Sequence, residues 1–269
     1  MKTRVALTIA GSDSCGGAGI QADLKTFSAL GVYGMSVITA ITAQNTRGVF
    51  DVREMDAAIV KNQIDCLFDD IEINAVKIGM VSNAEIIRVI ADCLRDKPVQ
   101  VVVDPVMVSK SGYHLLRPEA KDELIKTLFP IATVVTPNIP EAELITSTRI
   151  ETLADMELAA RSIYKQGPQQ VVVKGGHLSD AAIDVYYDGS RIKHLSGTRV
   201  DTKNTHGTGC TFSAAIAAHL ARGYPVAEAV AHSKVYINDA ILNAIDLGQG
   251  FGPTGHFYSL YRRAGMFID

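Results

Sequence analysis

Cysteine, basic runs and long apolar stretches are all scarce in this sequence of 269 residues. Its four cysteines, Cys15, Cys66, Cys93 and Cys210, show neither CxxC spacing nor the density of a disulfide scaffold. A stapled secreted module is excluded, and a reducing cytoplasm is the expected compartment. Lys and Arg are scattered, no basic run is longer than the "YRR" near the C-terminus, and the net charge is -3. There is therefore no electrostatic footprint for nucleic acid or an anionic membrane. No stretch approaches the roughly 18 apolar residues that a membrane span requires. The apolar part of "MKTRVALTIAGSD" is too short for a signal-peptide core and runs straight into Asp13. The seven histidines show no HExxH or other close metal-ligand pairing. What remains is a small-molecule partner.

With 47% hydrophobic and 20% charged residues, the chain can bury a large core, and residues 1–269 read as one α/β domain. Runs rich in β-branched residues ("VALTIA", "SVITAITA", "AVKI", "QVVVD", "ATVVT", "QVVVK") alternate with segments of helical apolar spacing such as "QADLKTFSALG" and "DAAIVKNQIDCLF". This alternation predicts βαβ units around a mostly parallel sheet, with strands covered on both faces. Gly31 is placed to close the first helix. "AAIDVYYDGSRIKHLSGTRVDT" reads as an antiparallel hairpin turning at "DG". Two helices follow from Thr208, and then a Gly-rich loop, "GQGFGPTGH".

Ligands of open parallel sheets bind at the carboxyl ends of the strands. The residues there are "GSDSCGGAG", Gln44-Asn45, Gly79-Met80, Asp104-Pro105, "TPNIPEAE" and Lys174-Gly175-Gly176. Each has a structural reading beside the functional one. Asp104 suits a turn or cap, Glu141 complements a helix dipole, Lys174 is a strand-end charge, Gln44 a loop residue and Met80 a core residue. Their convergence on one rim favours a site. His206 reads equally as a turn-stabilising or a catalytic group.

"NTHGTGC", residues 204–210, opens directly into "TFSAAIAAHLA". The Gly207-Thr208-Gly209 backbone can turn tightly and aim successive N–H groups outward at a helix start, which makes an anion site. "GSDSCGGAG" lacks the Lys-Ser/Thr pair of a P-loop, and neither glycine cluster completes GxGxxG with a suitable downstream acid. P-loop and dinucleotide enzymes are thereby excluded.

"ALTIAGSDSCGGAGIQADLKTFSALGVYGMSVITAITAQNTRGV" and "TKNTHGTGCTFSAAIAA", with "DPVM", "TPNIPEAE" and "VVVKGGH" between them, resemble the ribokinase-like superfamily. Within it they are similar to the hydroxymethylpyrimidine/phosphomethylpyrimidine kinases of thiamine biosynthesis. The resemblance runs from residue 4 to about 222. It implies a three-layer αβα fold, ATP with Mg2+, and a homodimer. It further implies that Asp23 and Gln44 hold the pyrimidine edge with Gly11 and Met80 nearby, since a carboxylate and an amide can satisfy an aminopyrimidine. By the same resemblance Asp104 and Glu141 orient magnesium through waters, Lys174 neutralises the transferring phosphate, and Asn138 and Thr202 lie on the nucleotide side. Pyridoxal kinases share most of these blocks, and Gln44 in "TAQNTRGV" favours the pyrimidine branch. A non-catalytic module that kept the fold is disfavoured by the joint presence of Asp104, Glu141, Lys174 and Cys210.

Many superfamily members carry Asp where this chain has Cys210. The thiol reads as a packing residue, as a base with an ordinary pKa near 8.5, or as an accommodation to a charged acceptor. The last reading explains more. A monophosphate, with its second pKa near 6, is already a nucleophile and would be repelled by a carboxylate. The expectation is one site that phosphorylates first the hydroxymethyl group and then its monophosphate.

Overall fold

The computed structural model describes residues 3–108, 112, 115–117, 119–176 and 182–266. The N-terminal part runs β1 (Val5–Ala10), α1 (Gly19–Ala29), β2 (Tyr33–Ile38), β3 (Ala40–Asn45), β4 (Gly48–Glu54), α2 (Ala57–Asp70), β5 (Ala75–Ile78), α3 (Ala84–Leu94) and β6 (Gln100–Val103). It continues through α4 (Ala120–Thr127), β7 (Val134–Val135), α5 (Ile139–Thr146), α6 (Leu153–Tyr164), β8 (Val171–Val173), β9 (Asp184–Tyr187), β10 (Ile192–Leu195), α7 (Thr208–Ala221), α8 (Val226–Leu242) and α9 (Tyr258–Arg263).

The main sheet has the order β10-β9-β8-β7-β6-β5-β1-β2. It is parallel from β8 to β2 and antiparallel across β9 and β10. The strands read as unbroken apolar runs because each feeds two cores. Val101 and Val103 of β6 pack with Ile86, Ile90 and Ile163 on one face, while Val102 packs with Phe212, Ile216 and Ile237 on the other. Helices α2 to α6 thus cover one side and α1, α7 and α8 the other, the expected αβα sandwich. Fully burying such a side chain stabilises the fold by about 1.5–3 kcal/mol, so both layers are strongly fixed. Gly31, at φ +74°, closes α1 as its sequence position predicts. The β9–β10 hairpin turns at Asp188–Arg191, where Asp188 Oδ1 accepts from Ser190 N and Arg191 N.

"SVITAITA" is two strands, not one. The Thr39 N–H donates to Ala10 O as β1 ends, and beyond that point β3 has no main-sheet neighbour. It pairs instead with β4 as a separate two-stranded sheet that turns at Asn45–Gly48. The sequence offers no turn residue at the break. A register shift between Ala43 and Gln44 redirects Gln44 locally, as bulges do. Gln44 therefore reaches the site from a separate hairpin and not from the rim of the main sheet.

Candidate active site

The carboxyl ends of β1, β5, β6 and β8 deliver the Gly11 loop, Gly79-Met80, Asp104 and Lys174 to one edge. Into that edge points the N-terminus of α7, a helix buried from Thr211 to Ala221 that packs on β1, β5 and β6. Its Ala-rich surface permits the close approach. Gly207 caps the helix at φ +77°, and a Cβ there would lie 1.7 Å from Gly17 O, so only glycine fits. The Thr208 hydroxyl donates to Thr205 O and tightens the turn. The first-turn amides have no partner four residues back, and they present positive partial charge to the edge.

Asp104 is buried, and its Oδ1 accepts from Lys174 Nζ at 2.8 Å and from the Thr136 hydroxyl at 3.2 Å, while Oδ2 accepts from the Ser213 hydroxyl at 3.2 Å. Burial alone would raise the Asp104 carboxyl, but Lys174, Lys77 and these hydrogen bonds outweigh it and hold the group below the usual range. The Lys174 ammonium is correspondingly held above its ordinary value: burial opposes this, and Asp104 and Glu141 overcome it. A Cβ on Gly209 would come within 3.3 Å of Lys174 Nζ and 3.5 Å of Asp104 Oδ2. The glycine turn, the lysine and the aspartate are thus one unit. Glu141 sits in a capping box on α5, where its N–H donates to Asn138 Oδ1 and its Oε2 accepts from the Asn138 N–H. Burial lifts its carboxyl to about 7, Lys174 opposing and Asp104 reinforcing the rise.

Cys210, at the third position of α7, receives the Gly19 N–H and lies within the fields of Lys77, Asp23 and Asp104. Burial pushes its thiol up to about 11, so it is a neutral group at pH 7.

Asp23 departs from the expected role. It has no exposed surface, its Oδ1 and Oδ2 accept from Lys77 Nζ at 3.1 and 2.8 Å, and the Thr8 hydroxyl donates to Oδ2 at 2.6 Å. With both oxygens engaged beneath the site, Asp23 is a buried counter-charge and does not read the edge of a ring. Thr202 accepts locally from Asn204 N, and Asn138 caps α5 while bridging to Lys174 backbone to backbone.

Beyond the ends of β1 and β5, Gly11 and Met80 meet closely: a Cβ on Gly11 would lie 3.0 Å from Met80 Sδ. A cavity of about 530 Å³ opens beside Met80, lined also by Val52, Glu54, Ser82 and Arg117. Gln44 lies 3.3 Å, Nε2 to Nε2, from His206, whose Nε2 is 2.8 Å from Asp13 Oδ2. Asp13 in turn accepts from the N–H groups of Cys15, Gly17 and Ala18 and so folds the whole first loop.

Residues 13–255 match the family model described as phosphomethylpyrimidine kinase. The chain belongs to the phosphomethylpyrimidine kinase family. It is 55% identical over 264 residues to a hydroxymethylpyrimidine/phosphomethylpyrimidine kinase of Rhizobium meliloti, an alignment that covers 97% of this chain and 99% of the relative. It superposes on a phosphomethylpyrimidine kinase of Clostridium difficile with a TM-score of 0.80 at 53% identity, covering 89% of this chain and 100% of the other. It also superposes on a pyridoxal kinase of Staphylococcus aureus in complex with AMP-PCP and pyridoxal, with a TM-score of 0.88 at 37% identity, covering 96% and 94%.

In this member of the phosphomethylpyrimidine kinase family, the site contains four residues that sequence reasoning missed or left undecided. Lys77, Asp13 and Ser213 carry no site signal of their own in the sequence, and His206 reads equally as a turn-stabilising or a catalytic group. One available signal was Asp23 itself. Ile20, Asp23 and Phe27 share one helical face of α1, and a carboxylate on an otherwise apolar face calls for a buried cation.

Proposed function

We propose that the protein transfers the γ-phosphoryl group of ATP to 4-amino-5-hydroxymethyl-2-methylpyrimidine and then to the resulting monophosphate, giving the diphosphate used in thiamine biosynthesis. The observation that carries this reading is the juxtaposition of Gly209 with Lys174 and Asp104 at the start of α7. It places helix-terminal N–H groups, a cation and an anion around one point, which suits a reaction that depends on positioning and charge neutralisation.

In this reading the turn Gly207-Thr208-Gly209 cradles the transferring group, and Lys174 offsets its charge. Asn138 and Thr202 border the nucleotide, and Gln44, Gly11 and Met80 hold the pyrimidine. Asp104 and Glu141 suit a water-rich Mg2+. Two buried carboxyls act on the same lysine, and among the described residues no group of three or more His, Cys, Asp or Glu forms a cage of its own. Magnesium usually keeps several waters and takes only one or two carboxylates, together with phosphate oxygens, and when bound it would neutralise phosphate charge. The neutral Cys210 thiol leaves room for a dianionic acceptor phosphate where a carboxylate would repel it.

The proposal includes the homodimer that the sequence resemblance implies and the cytoplasmic setting expected from the sparse cysteines. Among the described residues no helix is long and apolar enough to cross a membrane. ATP turnover against hydroxymethylpyrimidine, its monophosphate and pyridoxal tests the reading. Turnover of both pyrimidine acceptors supports it, and preference for pyridoxal replaces it with a pyridoxal-type kinase.

A further inference from the structure

The contacts around Gln44 decide which end of its amide points which way, and so which ring edges it can accept. An amide's oxygen and nitrogen are distinguished by the network they join. Asp13 Oδ2 accepts from the Gly17 and Ala18 N–H groups at 3.0 and 2.8 Å and lies 2.8 Å from His206 Nε2. An oxygen already taking two N–H donors bears no proton, so the proton of that third contact sits on His206 Nε2. The protonated nitrogen has no lone pair to take a proton from Gln44, so the amide atom 3.3 Å from it is the oxygen and not the NH2. At the other end, the Thr42 hydroxyl lies 3.3 Å from the amide and donates its single proton to Ser12 O at 2.8 Å. Towards Gln44 it can only accept. Both contacts require the same orientation, the reverse of the one that sets Nε2 against His206 and Oε1 against Thr42.

We propose that His206 and Thr42 hold the Gln44 amide with its oxygen towards His206 and its NH2 towards Thr42, and thereby preset the polarity with which the acceptor ring is read. The second lone pair of the oxygen and the second proton of the NH2 remain for the ligand. They match an edge where an exocyclic amino group donates beside a ring nitrogen that accepts. A ring of the same shape carrying a carbonyl beside a ring N–H meets donor with donor and acceptor with acceptor. His206 and Thr42 are positioning residues in this scheme, since they act through Gln44. His206 also directly precedes Gly207, so the acceptor reader and the anion-binding turn share one anchor.

The inference rests on the proposed role of Gln44, and the experiment separates the two. The kcat/KM for hydroxymethylpyrimidine and for its 4-oxo analogue is measured in the wild type, Thr42→Val, His206→Phe and Gln44→Ala, together with KM for ATP. Mismatching both hydrogen bonds should disfavour the oxo compound by roughly tenfold or more in the wild type. Thr42→Val and His206→Phe each remove one of the two anchors, so in each the ratio should shrink by about threefold or more, with a smaller effect on KM for ATP. Thr42→Val is nearly isosteric and leaves the His206–Asp13 contact in place, so it carries the test if His206→Phe does not fold. Loss of acceptor binding in Gln44→Ala with an unchanged ratio in Thr42→Val overturns the inference and leaves the function standing. Unaltered acceptor binding in Gln44→Ala overturns both. Nitrogen-15 NMR of the imidazole gives an independent reading: an Nδ1–H tautomer of His206 would refute the preset amide.

Discussion

Lys77 Nζ lies 2.8 Å from Asp23 Oδ2, and neither side chain has any exposed surface. Burial alone would lower the lysine's affinity for its proton, but Asp23 and Asp104 reverse this and keep it charged. Breaking a buried pair from one side strands the other charge. Lys77→Met should therefore cost about 3–5 kcal/mol of stability, whereas Lys77→Met with Asp23→Leu should recover much of the loss. Urea unfolding of the three proteins checks this, and equal stabilities of the single and double variants would show that the charges are not coupled.

In the proposed reading Lys174 neutralises the transferring charge, and its removal should be felt in turnover. Lys174→Ala should lower kcat by roughly 10²–10³-fold for both pyrimidine acceptors. Asp104 keeps Thr136, Ser213 and the field of Lys77, so the far-ultraviolet circular dichroism should match that of the wild type. Turnover near the wild-type value removes Lys174 from the reaction.

Glu141 carries a pH signature. Its carboxyl is raised from 4.5 to about 7 in the folded protein, so between those values the folded state binds more protons than the unfolded one. The stability it confers is complete below pH 4.5 and is lost as pH rises through about 7. His219 and His256, pushed by burial from 6.5 down to about 4, impose the opposite slope, so the diagnostic quantity is wild type minus variant. Glu141→Gln keeps the Asn138 cap within reach and should gain on the wild type between pH 5 and 8 by on the order of 2–3 kcal/mol. A flat difference curve would place the ionisation elsewhere.

Cys210→Asp tests why a thiol faces the anion site. With the thiol lifted to about 11, it is a poor base at neutral pH, and a carboxylate in its place would face Asp23, Asp104 and the incoming phosphate. Like charges about 4 Å apart repel by roughly 4 kcal/mol at an effective dielectric near 20, before screening. The second phosphorylation should fall at least about tenfold further than the first. Equal losses in kcat/KM for the two acceptors would return Cys210 to a packing or base role.

Much of this architecture was legible in the sequence because its physics is local. The apolar runs of β1, β5, β6 and β8 announce strands covered on both faces, and "HGTGC" before an Ala-rich helix announces a tight glycine turn at a helix start. The rim residues Asp104, Lys174 and Gly209 follow, because strand ends converge wherever a parallel sheet forms. The break in "SVITAITA" was hidden, since β3 leaves the sheet only because β1 has ended beside it. The pairings Lys77–Asp23 and His206–Asp13 join residues 54 and 193 positions apart, and only strand order makes them neighbours. Asp23 was placed at the ring edge for the same reason: its type and position fit the role, but its burial depends on how α1 lies against β1 and β5.

The abutment of Gly207 on Gly17 O also bears on how the molecule matures. Those residues are 190 positions apart (207 − 17), and the backbone contact leaves no space for even a Cβ between them. So distant a closure carries a large loop entropy and comes late in folding. During synthesis the N-terminal strands and the first loop leave the ribosome long before α7 exists to meet them. The phosphate binding proposed for this turn is therefore complete only once α7 has been made, and in refolding a ligand-dependent signal should lag behind helix formation.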